Sequence, residues 1–241
     1  MVITDVQRTV KKSYSPGLYD LTELQREANQ RFGYSAKETL NIMQRLYENH
    51  KVLTYPRTDS RYLSKDIVPT IKDRLEACGT GPYRKLAMTA KKKDLSGKLA
   101  FVNDAKVSDH HAIIPTEQFV DLSHMTNEER KIYDLVVRRF LAVLYPPFEY
   151  EQTQVTVKVG GETFLASGKI VKAQGWRAAY EEEVYSAEDE EEEEAYESGK
   201  SLKGQTLPEL EKGQEIKGLV LSLTEGKTKP PAHFNEATLL S

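Results

Sequence analysis

The run Phe140-Leu141-Ala142-Val143-Leu144-Tyr145-Pro146-Pro147, followed by Thr153-Gln154-Val155-Thr156-Val157-Lys158-Val159-Gly160-Gly161, is where the chain changes its period. Before the prolines, Ile132, Tyr133, Val136, Val137, Phe140, Leu141 and Leu144 recur at helical spacing. Thr126 with Glu129 supplies a capping-box start, and Pro146-Pro147 the stop. Arg138-Arg139 fall on this helix, where a solvated face is the expected setting and a DNA contact the alternative. After the prolines Thr153, Val155, Val157 and Val159 alternate, Gly160-Gly161 supplies a turn, and Glu162 to Ala166 returns: a β-hairpin signal. Gly175-Trp176 marks a corner, and Ile216 to Leu223 reads as a further strand.

Upstream, Val2-Ile3-Thr4-Asp5-Val6-Gln7-Arg8-Thr9-Val10 alternates with β-branched residues and ends in Lys11-Lys12. A lone strand needs partners from elsewhere in the chain. The simplest solution is one sheet interrupted by a helical insertion over residues 17–147, which is an α+β fold. Within the insertion, Ser15-Pro16-Gly17 breaks the first strand. Asp20 with Glu23 then opens a helix through Leu21, Leu24, Ala28 and Phe32 that stops at Gly33. Ser35 with Glu38 opens the next, which places Ala36, Leu40, Met43 and Tyr47 on one face up to Asn49-His50. Lys51 to Thr54 is strand-like. Ile67, Ile71 and Leu75 predict another helix ahead of Gly79-Thr80-Gly81-Pro82, with Pro69 near its first turn.

At 241 residues the chain has room for one or two domains. A mean hydropathy of -0.59 and the lack of any run near ~18 apolar residues give no membrane span, and the start lacks the pattern of a secretory signal. Cytoplasmic localisation is expected. The single Cys78 allows no internal disulfide and no cysteine-based zinc site. Net charge is -3, yet residues 181–197 hold eleven acidic and no basic side chains, so the rest of the chain sums to +8. That body suits a phosphate backbone. The acidic run reads first as a solvated loop, and its place in a strand-rich region leaves a DNA-mimicking role open. Lys91-Lys92-Lys93 reads equally as a solvated basic loop and as a DNA contact.

The chemistry concentrates in Leu53-Thr54-Tyr55-Pro56-Arg57-Thr58-Asp59-Ser60-Arg61-Tyr62. A phenol titrates near ~10 and is a poor nucleophile at neutral pH. To attack phosphorus it needs its hydroxyl held in line and a cation on the non-bridging oxygens. With Pro56 fixing φ, residues 55 and 57 of an extended segment project to one side, so Tyr55 and Arg57 are expected to meet one phosphate. Thr58 and Ser60 offer short donors to phosphate oxygens, and Asp59 an orienting carboxylate. Taken alone, a Tyr-x-Arg is usually ordinary turn chemistry around a half-buried aromatic. Likewise His110 and His111 alone read as one packed and one solvated ring. Adjacent side chains diverge in extended chain, which argues against a shared metal.

Tyr55-Pro56-Arg57-Thr58-Asp59-Ser60, together with Ser108-Asp109-His110-His111-Ala112-Ile113-Ile114-Pro115-Thr116 and the closing Pro230-Pro231-Ala232-His233-Phe234-Asn235-Glu236-Ala237-Thr238-Leu239-Leu240, resembles the type IA DNA topoisomerases. The proline after the tyrosine points to the bacterial topoisomerase III branch. The three motifs keep the family's order and span nearly the whole chain. The resemblance implies a helical domain carrying the catalytic tyrosine, inserted into a mostly antiparallel β gate or arch domain. On this reading residues 1–16 give one gate strand, 17–147 the tyrosine domain, 148–224 the rest of the gate with its acidic loop, and 225–241 the start of a further, truncated helical domain.

The resemblance also implies the chemistry. Tyr55 attacks one strand of DNA to form a 5′-phosphotyrosine, another strand passes, and the break is resealed without a nucleotide cofactor. Arg57 is the cationic partner. In the family pattern His-x-Ala-Ile-x-Pro, His110, Ala112, Ile113 and Pro115 match, which makes His110 the residue expected to hold the scissile phosphate. Thr58, Asp59, Ser60, Arg61, His111 and Thr116 are expected DNA contacts. Magnesium is expected on a TOPRIM domain, whose Asp-x-Asp pattern occurs nowhere here, so the chain reads as a central fragment with no metal site of its own. Its partners would be single-stranded DNA and the remaining domains of the same protein. Alone, it is expected to act as a non-catalytic single-stranded DNA-binding module. Tyrosine recombinases need a His-x-x-Arg box, but both frames here give isoleucine, at Ile113 and Ile114. A rolling-circle endonuclease needs two histidines around one apolar residue. Neither fits.

Overall fold

A computed structural model describes residues 1–180, 207–216, 225, 227–228, 230–231 and 233–239. The acidic run and the expected strand beyond Ile216 lie outside these residues. The chain divides into two compact units, one of Met1–Tyr14, Pro147–Gly175 and Tyr180–Pro231, the other of Ser15–Pro146, Trp176–Ala179 and Ala232–Ser241.

The first unit is a three-stranded antiparallel sheet in the order β1-β2-β3, with β1 Val2–Ser13, β2 Phe148–Val159 and β3 Glu162–Ala173. β1 pairs along its whole length with β2, from Val2 opposite Lys158 to Ser13 opposite Phe148, although the entire helical segment lies between them in sequence. Gly160 and Gly161 make the hairpin turn with φ of 56° and 92°, a region that suits glycine because it has no Cβ. Ile3, Val155 and Val157 form the buried centre of one sheet face. Leu207, Leu210 and Ile216 pack on it, and Ile3 exchanges backbone bonds with Gln214 and Gly213.

The second unit is helical: α1 Leu21–Phe32, α2 Ala36–Glu48, α3 Ile71–Cys78, α4 Arg84–Ala90, α5 Asn127–Ala142 and α6 Glu236–Leu239. The caps match the sequence signals. Asp20 accepts from the Glu23 N–H, Gly33 ends α1 at φ 71°, and full capping boxes open α2 at Ser35/Glu38 and α5 at Thr126/Glu129. α4 was not evident from the sequence, since Arg84–Ala90 has little apolar periodicity. Pro69 sits in a 3₁₀ turn, Lys65–Thr70, that leads into α3. α6 packs on α1: the Ala237 N–H donates to Asn29 Oδ1 at 3.2 Å and Ala237 is fully buried.

Two sequence expectations need correction. The buried face of α2 is Thr39, Ile42, Met43 and Leu46; of the expected set only Met43 is buried, Ala36 and Leu40 are half-buried, and Tyr47 is exposed. The two apolar stripes differ by one residue in register, and packing against α1 and α5 selects the one ending in Leu46. Arg138 and Arg139 are not solvated, each being only 6% exposed. Arg138 pairs with Asp134 at 2.8 Å and donates to the Ala179 carbonyl at 2.7 Å. Arg139 lies 4.2 Å from the centre of the Tyr19 ring and pairs with Glu27, which also accepts from the Tyr19 hydroxyl. Such arginines bring their counter-charges into the core, and removing one partner would strand the other.

Candidate active site

Tyr55 lies in a loop fixed from both ends. α2 ends through Lys51 at φ 56°, a left-handed conformation that is uncommon for a side chain other than glycine. The Lys51 carbonyl accepts from the Thr116 hydroxyl at 2.6 Å. The chain then runs antiparallel to residues 112–116. The Thr116 N–H donates to the Val52 carbonyl at 3.0 Å, Leu53 bridges Pro115, and the Thr54 N–H donates to the Ile114 carbonyl at 3.0 Å. Thr54 Oγ1 also accepts from the Ile114 N–H and donates to the Ala112 carbonyl. Ala112, Ile113 and Ile114 are buried to 1% exposure or less, so the apolar half of the second motif anchors this pairing.

Extending that pairing by a few residues brings the two motifs face to face. The Tyr55 and His110 rings lie 4.3 Å apart at 38°, and the edge of Tyr47 meets Tyr55 at 5.6 Å and 82°. The Tyr47–Tyr55 contact falls in the range of favourable aromatic pairs, and the Tyr55 and His110 rings lie closer still. Tyr55 and His110 open onto a cleft of about 610 Å³ that is also lined by Thr54, Ser64, Lys65 and Asp66, and from the other side by Asp104, Val107, Ser108, Asp109 and His111.

The remaining predicted residues separate into two groups. Arg57, Asp59 and His110 are exposed, and Arg57 forms no hydrogen bond or ion pair with another described residue and does not line the cleft. Asp59 is 3.4 Å from the Ser108 hydroxyl. Thr58 and Ser60, by contrast, are 7% and 4% exposed. Thr58 Oγ1 donates to the His110 carbonyl at 2.9 Å and accepts from the Ser60 N–H at 3.1 Å. Ser60 Oγ donates to the Lys106 carbonyl at 2.7 Å and accepts from the Tyr62 N–H. Arg61 Nε donates to the Leu18 carbonyl at 3.0 Å. These three side chains hold the loop to its neighbours. Thr116 stands on the far side of the paired segment, at Lys51.

His111 is half-buried, and its Nδ1 lies 2.7 Å from the Ala112 carbonyl, which makes Nδ1 the protonated nitrogen. Burial pushes its pKa below the usual histidine value against that hydrogen bond, with the charge of Arg74 acting in the same sense as burial. Arg74 itself, 6% exposed, donates to the Pro115 carbonyl at 2.9 Å and pairs with Glu117 at 2.8 Å. Sequence reading missed Lys65, Asp66 and Asp104, which line the cleft, and Tyr47, which meets the Tyr55 ring. They carry no local motif, and tertiary pairing places them. Among the described residues no group of three or more His, Cys, Asp or Glu side chains is placed to hold a metal ion.

The chain is 57% identical over 240 residues to DNA topoisomerase 3 of Bacillus licheniformis and 55% identical over 240 residues to that of Bacillus subtilis, in each case covering 100% of this chain and 32% of the relative. It therefore spans about a third of the length of these relatives. Its fold is similar to that in a structure of full-length topoisomerase I from Thermotoga maritima, with a TM-score of 0.68 at 24% identity, covering 99% of this chain and 36% of that one. The DNA topoisomerase family model matches residues 1–241, and the chain belongs to the type IA DNA topoisomerases, with topoisomerase III among its relatives.

Proposed function

We propose that this chain supplies the nucleophile of a type IA topoisomerase and that Tyr55 is that nucleophile. The Tyr55 oxygen attacks a phosphorus in a single DNA strand. The bond from phosphorus to the 3′-oxygen breaks, the phenol gives up its proton, and the released strand end takes one up as a 3′-hydroxyl. The 5′ end stays on Tyr55 as a phosphotyrosine, which conserves the bond energy for the reverse attack once another strand has passed. No nucleotide is consumed. Arg57 and His110 stabilise the negative charge that builds on the non-bridging oxygens. The three-stranded sheet belongs to the gate or arch, and the helical segment is the tyrosine domain inserted in it. Magnesium belongs to a TOPRIM domain outside this chain, and no step here is routed through it. The reaction takes place on DNA in the cytoplasm.

The observation that carries the reading is the close, tilted pair of Tyr55 and His110, 4.3 Å apart, lining an open cleft. It puts a phenol beside a nitrogen base and leaves room for a nucleotide. Arg57, which has no hydrogen-bond or ion-pair partner among the described residues, stands two residues away. Labelled single-stranded DNA, incubated with this chain and with a separately supplied TOPRIM-containing piece and magnesium, tests it. A covalent adduct is expected in the complemented native sample and none with Tyr55→Phe. Adduct formation that survives Tyr55→Phe would overturn the assignment. This chain without the added piece is expected to bind the strand weakly and leave it uncut.

A further inference from the structure

The loop after Tyr55 and the turn at residues 104–108 are tied together at three points. Ser60 Oγ donates to the Lys106 carbonyl at 2.7 Å, the Lys65 N–H donates to Asp104 Oδ1 at 2.8 Å, and Ser108 reaches Asp59 at 3.4 Å. Tyr62 and Lys106 face each other across this seam. Lys106 Nζ is 3.2 Å from the Tyr62 hydroxyl and 4.7 Å from the ring centre, so the ammonium sits over the hydroxyl end of the ring. Neither side chain belongs to the core: Lys106 is exposed and Tyr62 half-exposed. Their backbones are nevertheless fixed. The Tyr62 carbonyl accepts from the Ala112 N–H at 2.9 Å, next to the histidine pair, and the Tyr62 N–H donates to Ser60 Oγ at 3.1 Å. Each residue stands only one or two positions before a residue that lines the Tyr55 cleft, Ser64 for Tyr62 and Val107 for Lys106.

An accessible aromatic ring and a cation, both on rigid backbone beside a cleft for a strand, match what single-stranded nucleic acid recognises: a face for a base and a charge for a phosphate. The pair lies outside the buried core, with Tyr62 half-buried and Lys106 exposed, and the ammonium has no carboxylate partner among the described residues. We infer that Tyr62 and Lys106 form a second contact for the DNA strand, in which a base stacks on the Tyr62 ring and Lys106 meets an adjacent phosphate. This inference rests on the proposed function, since it extends the same strand beyond Tyr55. The contact is indifferent to base identity, because every base offers a π-face.

The test is anisotropy of a labelled oligothymidylate with this chain at several salt concentrations. Tyr62→Ala is expected to raise Kd by roughly tenfold, the scale of one lost base–aromatic stack, and Tyr62→Phe to stay within about twofold of native. Lys106→Gln is expected to weaken binding and reduce the salt slope by about one, with Lys106→Arg restoring both. On an oligonucleotide with abasic sites throughout, native and Tyr62→Ala are expected to bind alike. Native-like binding by Tyr62→Ala, or an equal loss for Tyr62→Phe, would overturn the inference, as would absence of binding by the native chain. If Tyr55-dependent adduct persists while Tyr62→Ala binds normally, the second contact fails and the nucleophile assignment stands. If the adduct does not depend on Tyr55, the proposed function itself fails.

Discussion

The helical unit and the sheet unit bury their side chains in different ways. α5 alone buries Ile132, Tyr133, Val136, Val137, Phe140 and Leu141 to 1% exposure or less. In the sheet the buried cluster is Ile3, Val155 and Val157, while Phe164, Leu165, Ile170 and Val171 of β3 are between 42% and 66% exposed. In the helical unit the segment leading to Tyr55 is held by backbone pairing of Val52 and Thr54 with residues 114–116, which is the kind of support the proposed nucleophile would need. A thin sheet with one long hairpin tolerates surface change and places few demands on its outer strand. Precision is concentrated in one unit.

The contrast is sharpest in a pair of phenylalanines. Phe140→Ala, at a fully buried position, is expected to cost about 3–5 kcal/mol in urea unfolding. Phe164→Ala, 56% exposed, is expected to change stability by no more than about 0.5 kcal/mol. Equal losses would show that β3 is as deeply packed as α5 and remove the distinction.

Within the helical unit a smaller effect is expected at Glu129. This carboxylate is 4% exposed, closes the capping box of α5 on the Thr126 N–H at 2.9 Å, and holds Arg45 at 2.8 Å and His50 at 3.2 Å. Glu129→Gln is expected to cost about 2 kcal/mol, because it keeps the shape and loses the charge that pairs with Arg45 and that the His50 ring faces. Thermal unfolding indistinguishable from native would show that the cluster is a solvated surface pair.

The smallest effect is a pH slope. His111 is half-buried, and desolvation holds its folded pKa below the usual histidine value. The unfolded chain therefore takes up the proton first as pH falls, and stability declines from the ordinary titration range near ~6.5 downward until the folded form also protonates. His111→Gln is expected to flatten this part of the stability profile. An unchanged slope would assign it to other groups.

Much of the secondary structure was legible in the sequence. Thr126/Glu129 and Ser35/Glu38 announced their helices because capping is local chemistry, and Val155-Thr156-Val157 with Gly160-Gly161 announced the hairpin because alternation and turn preference are local too. The pairing of β1 with β2 followed only from the lack of any nearer partner. What could not be read was direction. Thr58, Ser60 and Arg61 looked like phosphate donors, yet their hydrogen bonds run inward to His110, Lys106 and Leu18. Arg138 and Arg139 looked solvated, and their counter-charges Asp134 and Glu27 come from a neighbouring turn and another helix. A short polar side chain serves either a ligand or its own backbone with equal chemistry, and only tertiary placement decides between them. Tyr47 shows the same point from the other side, since a one-residue shift in the buried stripe of α2 turns it from a core residue into a neighbour of Tyr55.

The central claim is that the nucleophile is Tyr55, held by this inward-turned loop. Trypsin cuts after Lys51 and Arg57, which releases Val52-Leu53-Thr54-Tyr55-Pro56-Arg57 with a single tyrosine. Mass spectrometry of that peptide, after trapping the covalent complex and digesting the DNA, is the most direct measurement. A nucleotide remnant on this peptide is the predicted result. An unmodified peptide, with the remnant on one that carries Tyr47, Tyr62 or another tyrosine, would contradict it.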